Sequence, residues 1–159
     1  EENPKQDFLG TIFQKLKLSD SKRGQVFTPY YIAELMADIT CNTNFDDKGW
    51  LSVCDPCVGA GVMLIAAANV YRDLGINYQT NVLFIGQDID RVVALMSYVQ
   101  LSLLGCPGYV IVGNSLTENV TGHLLFPQVN DGQEIWYTPM FFRNEWEYRK
   151  LEVYYESIK

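Results

Sequence analysis

The first third of the chain has a helical rhythm. Phe8, Ile12, Phe13 and Leu16 recur at three- and four-residue steps, which predicts an amphipathic helix over residues 4–18. Residues 19–26 are polar, include Gly24, and read as a loop. Thr28 and Pro29 form a helix start: Thr28 accepts a free N–H as N-cap, and Pro29 in the first helical position sacrifices no hydrogen bond. Ile32, Leu35, Met36 and Ile39 carry that second helix forward.

From residue 51 onwards short apolar runs alternate with helical segments. LSVCD (51–55) reads as a strand, 56–61 as a glycine-containing turn, and 62–74 as a helix closed by Gly75. VLFIG (82–86) is a second strand ending at Gln87 and Asp88; Asp90 caps a helix over 91–104; YVIV (109–112) is a third strand, followed by a turn at 113–115. Strand, helix, strand, helix, strand implies an α/β fold with a mostly parallel sheet. Right-handed crossovers place both connecting helices on one face, which leaves the N-terminal helices for the other face or an edge. Beyond Leu116 the pattern weakens. Residues 117–132 are polar and turn-rich, 134–137 read as a fourth strand, and 143–157 as a helix rich in aromatics: Trp146, Tyr148, Tyr154 and Tyr155. Those aromatics read as packing rather than as a base-stacking platform. The whole is one domain over 1–159, with a helical part at 1–48 and an α/β core at 49–159.

Composition narrows the class. A chain of 159 residues, 48% hydrophobic, is long enough to bury a core of its own. No apolar run approaches the roughly 20 residues needed to span a bilayer, and the first residues are polar. The expectation is a cytoplasmic protein, without a membrane, whose four cysteines are free thiols. Cys54 and Cys57 have metal or redox spacing, but His123 is the only histidine. The pair therefore reads as a strand thiol and a loop residue, and no metal is expected. The net charge of −7 opposes a broad nucleic-acid footprint. The basic residues form only two small groups: Lys15, Lys17, Lys22 and Arg23, then Arg143, Arg149 and Lys150.

The candidate chemistry falls at the strand ends, where ligands bind in an open parallel sheet. After the first strand stands DPCVGAG (55–61), whose Gly59 and Gly61 let the backbone turn tightly against a ligand. Asp55 offers a carboxylate to an ammonium group. After the second strand stands GQDID (86–90), with an acid placed for the hydroxyls of a ribose. After the third, Asn114 offers an amide to a nucleobase edge. The third glycine of a dinucleotide fingerprint is missing, and so is the Gly-Lys-Ser/Thr of a phosphate loop. An acid entering the turn suits a cationic amino-acid tail better than a pyrophosphate. The set favours S-adenosyl-L-methionine over NAD or ATP.

Four motifs in order carry a family resemblance. GQVFTP (24–29) resembles the G-Q-x-x-T-P segment of the methylation subunits of type I restriction-modification systems and related adenine-N6 DNA methyltransferases. DPCVGAG (55–61) is similar to their D-P-x-x-G-S/T-G loop, with Ala60 for the hydroxyl residue. GQDID (86–90) matches G-x-E/D-I-D. GNSL (113–116) resembles G-D-S/T-L, with Asn114 in place of Asp. The resemblance implies a Rossmann-like fold that binds S-adenosyl-L-methionine. Phe27 and Thr28 would touch the methionine end, and Asp55, Cys57, Val58, Gly59 and Gly61 would form the surrounding loop. Asp88 would hold the ribose, Ile89 would pack on the adenine, and Asn114 with Ser115 would meet the adenine amine. Asp90 remains a helix cap.

The family's catalytic tetrapeptide, N/D/S-P-P-Y/F, follows its fourth strand and does not occur here. The nearest segment is Thr138-Pro139-Met140-Phe141, in which Thr138 and Phe141 would stand for the polar and stacking residues. Two readings follow from the resemblance. One is an adenine-N6 DNA methyltransferase-like protein that transfers a methyl group to the exocyclic amine. The other is a non-catalytic cofactor-binding or interaction module that has lost the motif. Both imply weak DNA affinity for the isolated chain, and a recognition subunit or a second copy as partner.

Overall fold

A computed structural model describes residues 5–16, 27–45 and 48–158. The GQV of the first motif and Lys17, Lys22 and Arg23 of the first basic group lie outside the described residues. Two helices, α1 (Phe8–Lys15) and α2 (Tyr30–Thr40), precede strand β1 (Leu51–Asp55). Then come α3 (Val62–Asp73), the single turn α4 (Tyr78–Asn81), β2 (Val82–Asp88), α5 (Arg91–Leu104) and β3 (Gly108–Val112). The helix ends follow local chemistry. Asp90 caps α5, its Oδ1 accepting from Val92 N–H at 2.9 Å. Gly75, at φ +76°, closes α3 as Ile76 N–H bonds back to the Tyr71 carbonyl. At α2 the expectation shifts by one residue: Pro29 is itself the N-cap, and no side chain caps the helix.

β1, β2 and β3 pair in parallel and in sequence order, Cys54 lying beside Ile85 and Ile85 beside Tyr109. That order puts α3 and α5 together on one face, over Val82, Phe84 and Val110. The N-terminal helices join this same side, and do not cover the other face. Ala33 and Ala37 of α2 pack against α3, whose buried positions include Ala66, Ala67 and Ala68, while α1 lies on α5. Small side chains on both helices allow the close approach.

The second face is covered by the C-terminal third. A hairpin, β4 (Thr121–His123) with β5 (Phe126–Gln128), and strand β6 (Glu134–Tyr137) lie in the region where the sequence signal weakens. β6 completes the four-stranded sheet beside β3, but antiparallel: Tyr137 opposes Tyr109 and Glu134 opposes Val112. A tight 3-10 turn (Pro139–Phe142) leads to α6 (Asn144–Ser157). Leu83, Ile85, Tyr109 and Ile111 meet Leu125, Phe141 and Trp146 in a second core. Trp146 is fully buried, edge-on to Trp50 at 5.7 Å, and donates its indole N–H to the Gln79 carbonyl at 2.9 Å. The C-terminal aromatics thus divide. Trp146 packs as expected, whereas Tyr148, Tyr154 and Tyr155 are exposed.

Replacing Trp146 by Ala removes the largest buried side chain and orphans the Gln79 carbonyl. The expected cost is about 3–5 kcal/mol, read as a lowered urea midpoint with loss of the far-face core.

Candidate functional site

The carboxyl ends of the three parallel strands meet at one residue. Asp88, the last residue of β2, accepts from Gly59 N–H at 2.8 Å through Oδ2 and from Asp90 N–H at 2.9 Å through Oδ1. Its own carbonyl accepts from Gly113 N–H at 2.9 Å. The loop after β1, the start of α5 and the turn after β3 therefore share one anchor. A carboxylate has about four acceptor positions, so Asp88 keeps roughly half of them for a ligand.

The glycine turn is built by two different requirements. Gly61 (φ +100°) sits where a Cβ would stand 2.8 Å from Ser97 Oγ, so it is needed for the turn to close on α5. Gly59 (φ +53°) faces open space, and a Cβ there would meet only the Phe27 ring, at 3.9 Å. Of the two glycines, only Gly59 borders space a ligand can use. Val58 differs from expectation. It is buried, donates its N–H to the Gln87 carbonyl at 2.9 Å, and packs over the bare Gly86, so its side chain faces the core and not the cleft. That glycine in mid-strand is what lets the loop lie down on β2.

Asp55 begins the turn by accepting from Cys57 N–H at 3.0 Å. Burial pushes its carboxyl above the ordinary range, the Cys57 N–H opposes this, and the Asp88 charge adds to it. An acid held in that state favours a cationic partner. Thr28 and Cys57 line a groove of about 650 Å³ with Asp55, between α2, α3 and the outer edge of β1. The Phe27 ring rests on Phe13 at 5.7 Å, placing α1 beside the turn. Ile89 is 70% exposed at the strand end, an apolar surface in the expected position. Asn114 spends one lone pair of Oδ1 on Leu116 N–H at 3.0 Å, while its own N–H goes to Glu118 at 2.8 Å. Ser115 lies half-buried in the same turn.

One support escaped sequence reasoning. Gln100 of α5 donates Nε2 to the Ala60 carbonyl at 2.7 Å and to Asp7 Oδ1 at 2.8 Å, and its Oε1 accepts from Leu9 N–H at 3.0 Å. Asp7 also caps α1 through Gly10 N–H at 2.8 Å. One buried amide thus ties α1 to the glycine turn. The available signal was a polar residue on the buried face of an apolar helix.

Thr138, Pro139 and Phe141 do not join this site. Because β6 runs antiparallel, its end lies beside the start of β3. At about 3.3 Å per residue, the length of β3 separates that position from the cleft by roughly 13 Å. Thr138 is 1% exposed; its hydroxyl donates to the Cys106 carbonyl at 2.7 Å and accepts from Gly108 N–H at 3.0 Å. Phe141 is buried against Tyr137 and Trp146. These residues fasten the far end of the sheet, and the structure does not bring them to the cleft where the resemblance would have them act. The second basic group is likewise structural in part. Arg149 stacks 4.6 Å over Trp146 and bonds the Thr80 carbonyl, and Lys150 bonds the Phe141 carbonyl at 3.0 Å. Among the described residues no helix is long and apolar enough to cross a membrane.

The family model described as N-6 DNA methylase matches the chain over residues 5–152. None of the curated proteins matches the chain.

The raised Asp55 carboxyl makes a stability prediction. The folded state keeps this proton to higher pH than the unfolded chain, so its contribution is greatest below the ordinary carboxylate pKa of about 3.9. It falls as the pH rises through the raised folded value. Asp55→Asn keeps an acceptor for Cys57 N–H and abolishes the buried charge. Thermal melts should show it more stable than wild type at neutral pH, the difference vanishing in acid.

Proposed function

The chain belongs to the N-6 DNA methylase family, and from that premise we propose that it is a binding module for S-adenosyl-L-methionine. The supporting observation is the Asp88 junction, which joins the three strand ends and keeps acceptor positions free toward the cleft. The donor set fits the cofactor. Gly59 offers backbone with open space above it, Asp55 a cation-seeking acid, Asp88 acceptors for the ribose hydroxyls, Ile89 an apolar platform and Asn114 an amide edge. Phe27 and Thr28, beside Asp55, would border the methionine end. When bound, that cofactor supplies an electrophilic methyl group on a sulfonium sulfur.

The family's reaction moves that methyl to the exocyclic amine of adenine in DNA. Such transfer depends on holding the amine in line with the methyl carbon, a positioning effect. The side chain nearest in sequence to that role, Thr138, is consumed by Cys106 and Gly108 at the opposite end of the sheet. This observation favours the second reading, in which residues 138–141 support the fold and take no part in chemistry. DNA contact by the isolated chain is then weak and salt-sensitive. A recognition subunit or a second copy would supply the remainder.

Calorimetry with S-adenosyl-L-homocysteine tests the site. Asp88→Asn retains one oxygen but puts an NH2 group where Gly59 or Asp90 donates. It should weaken binding by roughly 10- to 100-fold, the range for a hydrogen bond to a charged group. Thr138→Val should bind as wild type does while losing about 1–3 kcal/mol of stability, the cost of unpaired buried groups. No binding by the wild type would remove the reading. Loss of cofactor affinity in Thr138→Val, with stability intact, would return that residue to the site.

A further inference from the structure

The glycine turn has a support that lies outside the cleft. Three of its backbone N–H groups bond to β2 or to the turn itself. Val58 donates to the Gln87 carbonyl at 2.9 Å, Gly59 to Asp88 at 2.8 Å, and Gly61 to the Val58 carbonyl at 2.8 Å. None of these bonds involves Ala60, which stands between Gly59 and Gly61, both at positive φ. Flanking glycines widen the choice of backbone conformation at that point. The bond that Ala60 makes is to α5: its carbonyl accepts from Gln100 Nε2 at 2.7 Å.

Gln100 is 7% exposed, and its amide works in one orientation only. Nε2 also donates to Asp7 Oδ1 at 2.8 Å, and Oε1 accepts from Leu9 N–H at 3.0 Å. Exchanging the two ends would set donor against donor and acceptor against acceptor. Asp7, 5% exposed, accepts from Gly10 N–H at 2.8 Å through the same Oδ1. A Cβ on Gly10 would fall 1.9 Å from Asp7 Oδ2, so the first turn of α1 closes directly on this carboxylate. A second route runs from α1 to the same turn. Phe13 packs on Phe27 with ring centroids 5.7 Å apart, and the Phe27 ring is what a Cβ on Gly59 would meet. Helix α1 thus holds the turn from behind through Gln100 and borders the space in front of it through Phe27.

We propose that Gln100 is a positioning residue for the glycine turn, and that through it the seating of α1 and ligand binding at the strand ends are coupled. The ligand used in the test rests on the cofactor reading; the coupling of α1 to the turn does not. With the amide in place the Ala60 carbonyl is fixed and the turn is ordered before a ligand arrives. The cost of ordering it then falls on folding instead of on binding. Coupling of this kind is reciprocal. A ligand that restrains the turn also restrains α1, and loosening α1 weakens the ligand.

Amide exchange read by NMR, with calorimetry on S-adenosyl-L-homocysteine, tests this on four variants. Each is measured where its circular dichroism is that of folded protein. Gln100→Glu keeps the shape and the Leu9 bond but faces Ala60 and Asp7 with an oxygen. Asp7→Ala cuts the link on the α1 side without touching the turn, and Asp7→Asn retains the accepting oxygen. Thr138→Val, destabilised at the opposite end of the sheet, controls for stability alone. In the free protein the Gly59, Ala60 and Gly61 amides should exchange faster in Gln100→Glu and Asp7→Ala, and as in wild type in the other two. Gln100→Glu and Asp7→Ala should bind the probe roughly tenfold more weakly, as for loss of a buried hydrogen bond. Asp7→Asn and Thr138→Val should bind it as wild type does. The probe should slow exchange in α1 of the wild type and not of Gln100→Glu. A lowered melting temperature in Gln100→Glu, with turn exchange and affinity unchanged, makes the residue structural only and overturns the proposal. Faster turn exchange in Gln100→Glu but not in Asp7→Ala overturns the coupling to α1. If the wild type binds no probe, the cofactor reading falls; faster turn exchange in both variants would still establish the coupling, and its absence would overturn that as well.

Discussion

A single residue, Asp88, ties the strand ends into one site instead of three separate loops. Asp88 spends one oxygen on the glycine turn after β1 and the other on the start of α5, while its carbonyl holds the turn after β3. Backbone N–H groups at a turn and at a helix start are strong donors to an anion. The cost of holding that charge half-buried is offset by them and not by a cation. The consequence is that two acids, Asp55 and Asp88, stand together at the strand ends, where a positive group would meet both. That polarity is the one the proposed cofactor, with its ammonium and sulfonium groups, would require.

The same logic explains why the glycines cannot be interchanged. Gly61 is consumed by packing on Ser97, Gly86 by packing under Val58, and Gly59 alone borders open space. The two glycines read alike in the turn differ in three dimensions: Gly61, like Gly86 in β2, is a packing constraint, and Gly59 borders open space. Gln100 holds the turn from behind through the Ala60 carbonyl and reaches Asp7 at the head of α1. The N-terminal helices therefore belong to the site's framework. Their place on the α3 and α5 side follows from this, because only there can α1 reach the glycine turn.

Local signals made most of the described residues up to Leu116 legible. Asp90 before an apolar helix, Gly75 after one, and short β-branched runs each specify an element without reference to the rest. The strand-end residues were legible for a related reason: parallel connectivity fixes the end at which they must gather. The C-terminal third was not, because strand direction is set by the connection and leaves no mark in a four-residue segment. Glu134–Tyr137 reads equally well in either direction. The sheet places it antiparallel, and that one fact carries Thr138 from the expected methyl-acceptor position to the opposite end. Likewise Val58 carries no sign in the sequence that it turns inward, since its burial depends on a glycine 28 residues later in another strand.

An antiparallel fourth strand also alters what the second face can do. A parallel strand beside β3 would need a long crossover, commonly a helix laid over the sheet. Here the link from β3 to β6 is a hairpin with its own two strands, which leaves a roof and not a filled layer. The core closes fully around Trp146 and Phe141 at the β6 end. At the other end, the strand ends that face the cleft on one side border a small cavity under the hairpin on the other. Gln87 lies where a filled layer would favour an apolar residue, next to Asp88, where the cleft requires an acid. Two adjacent polar residues near the end of a buried strand, one for each face, are costly for stability alone.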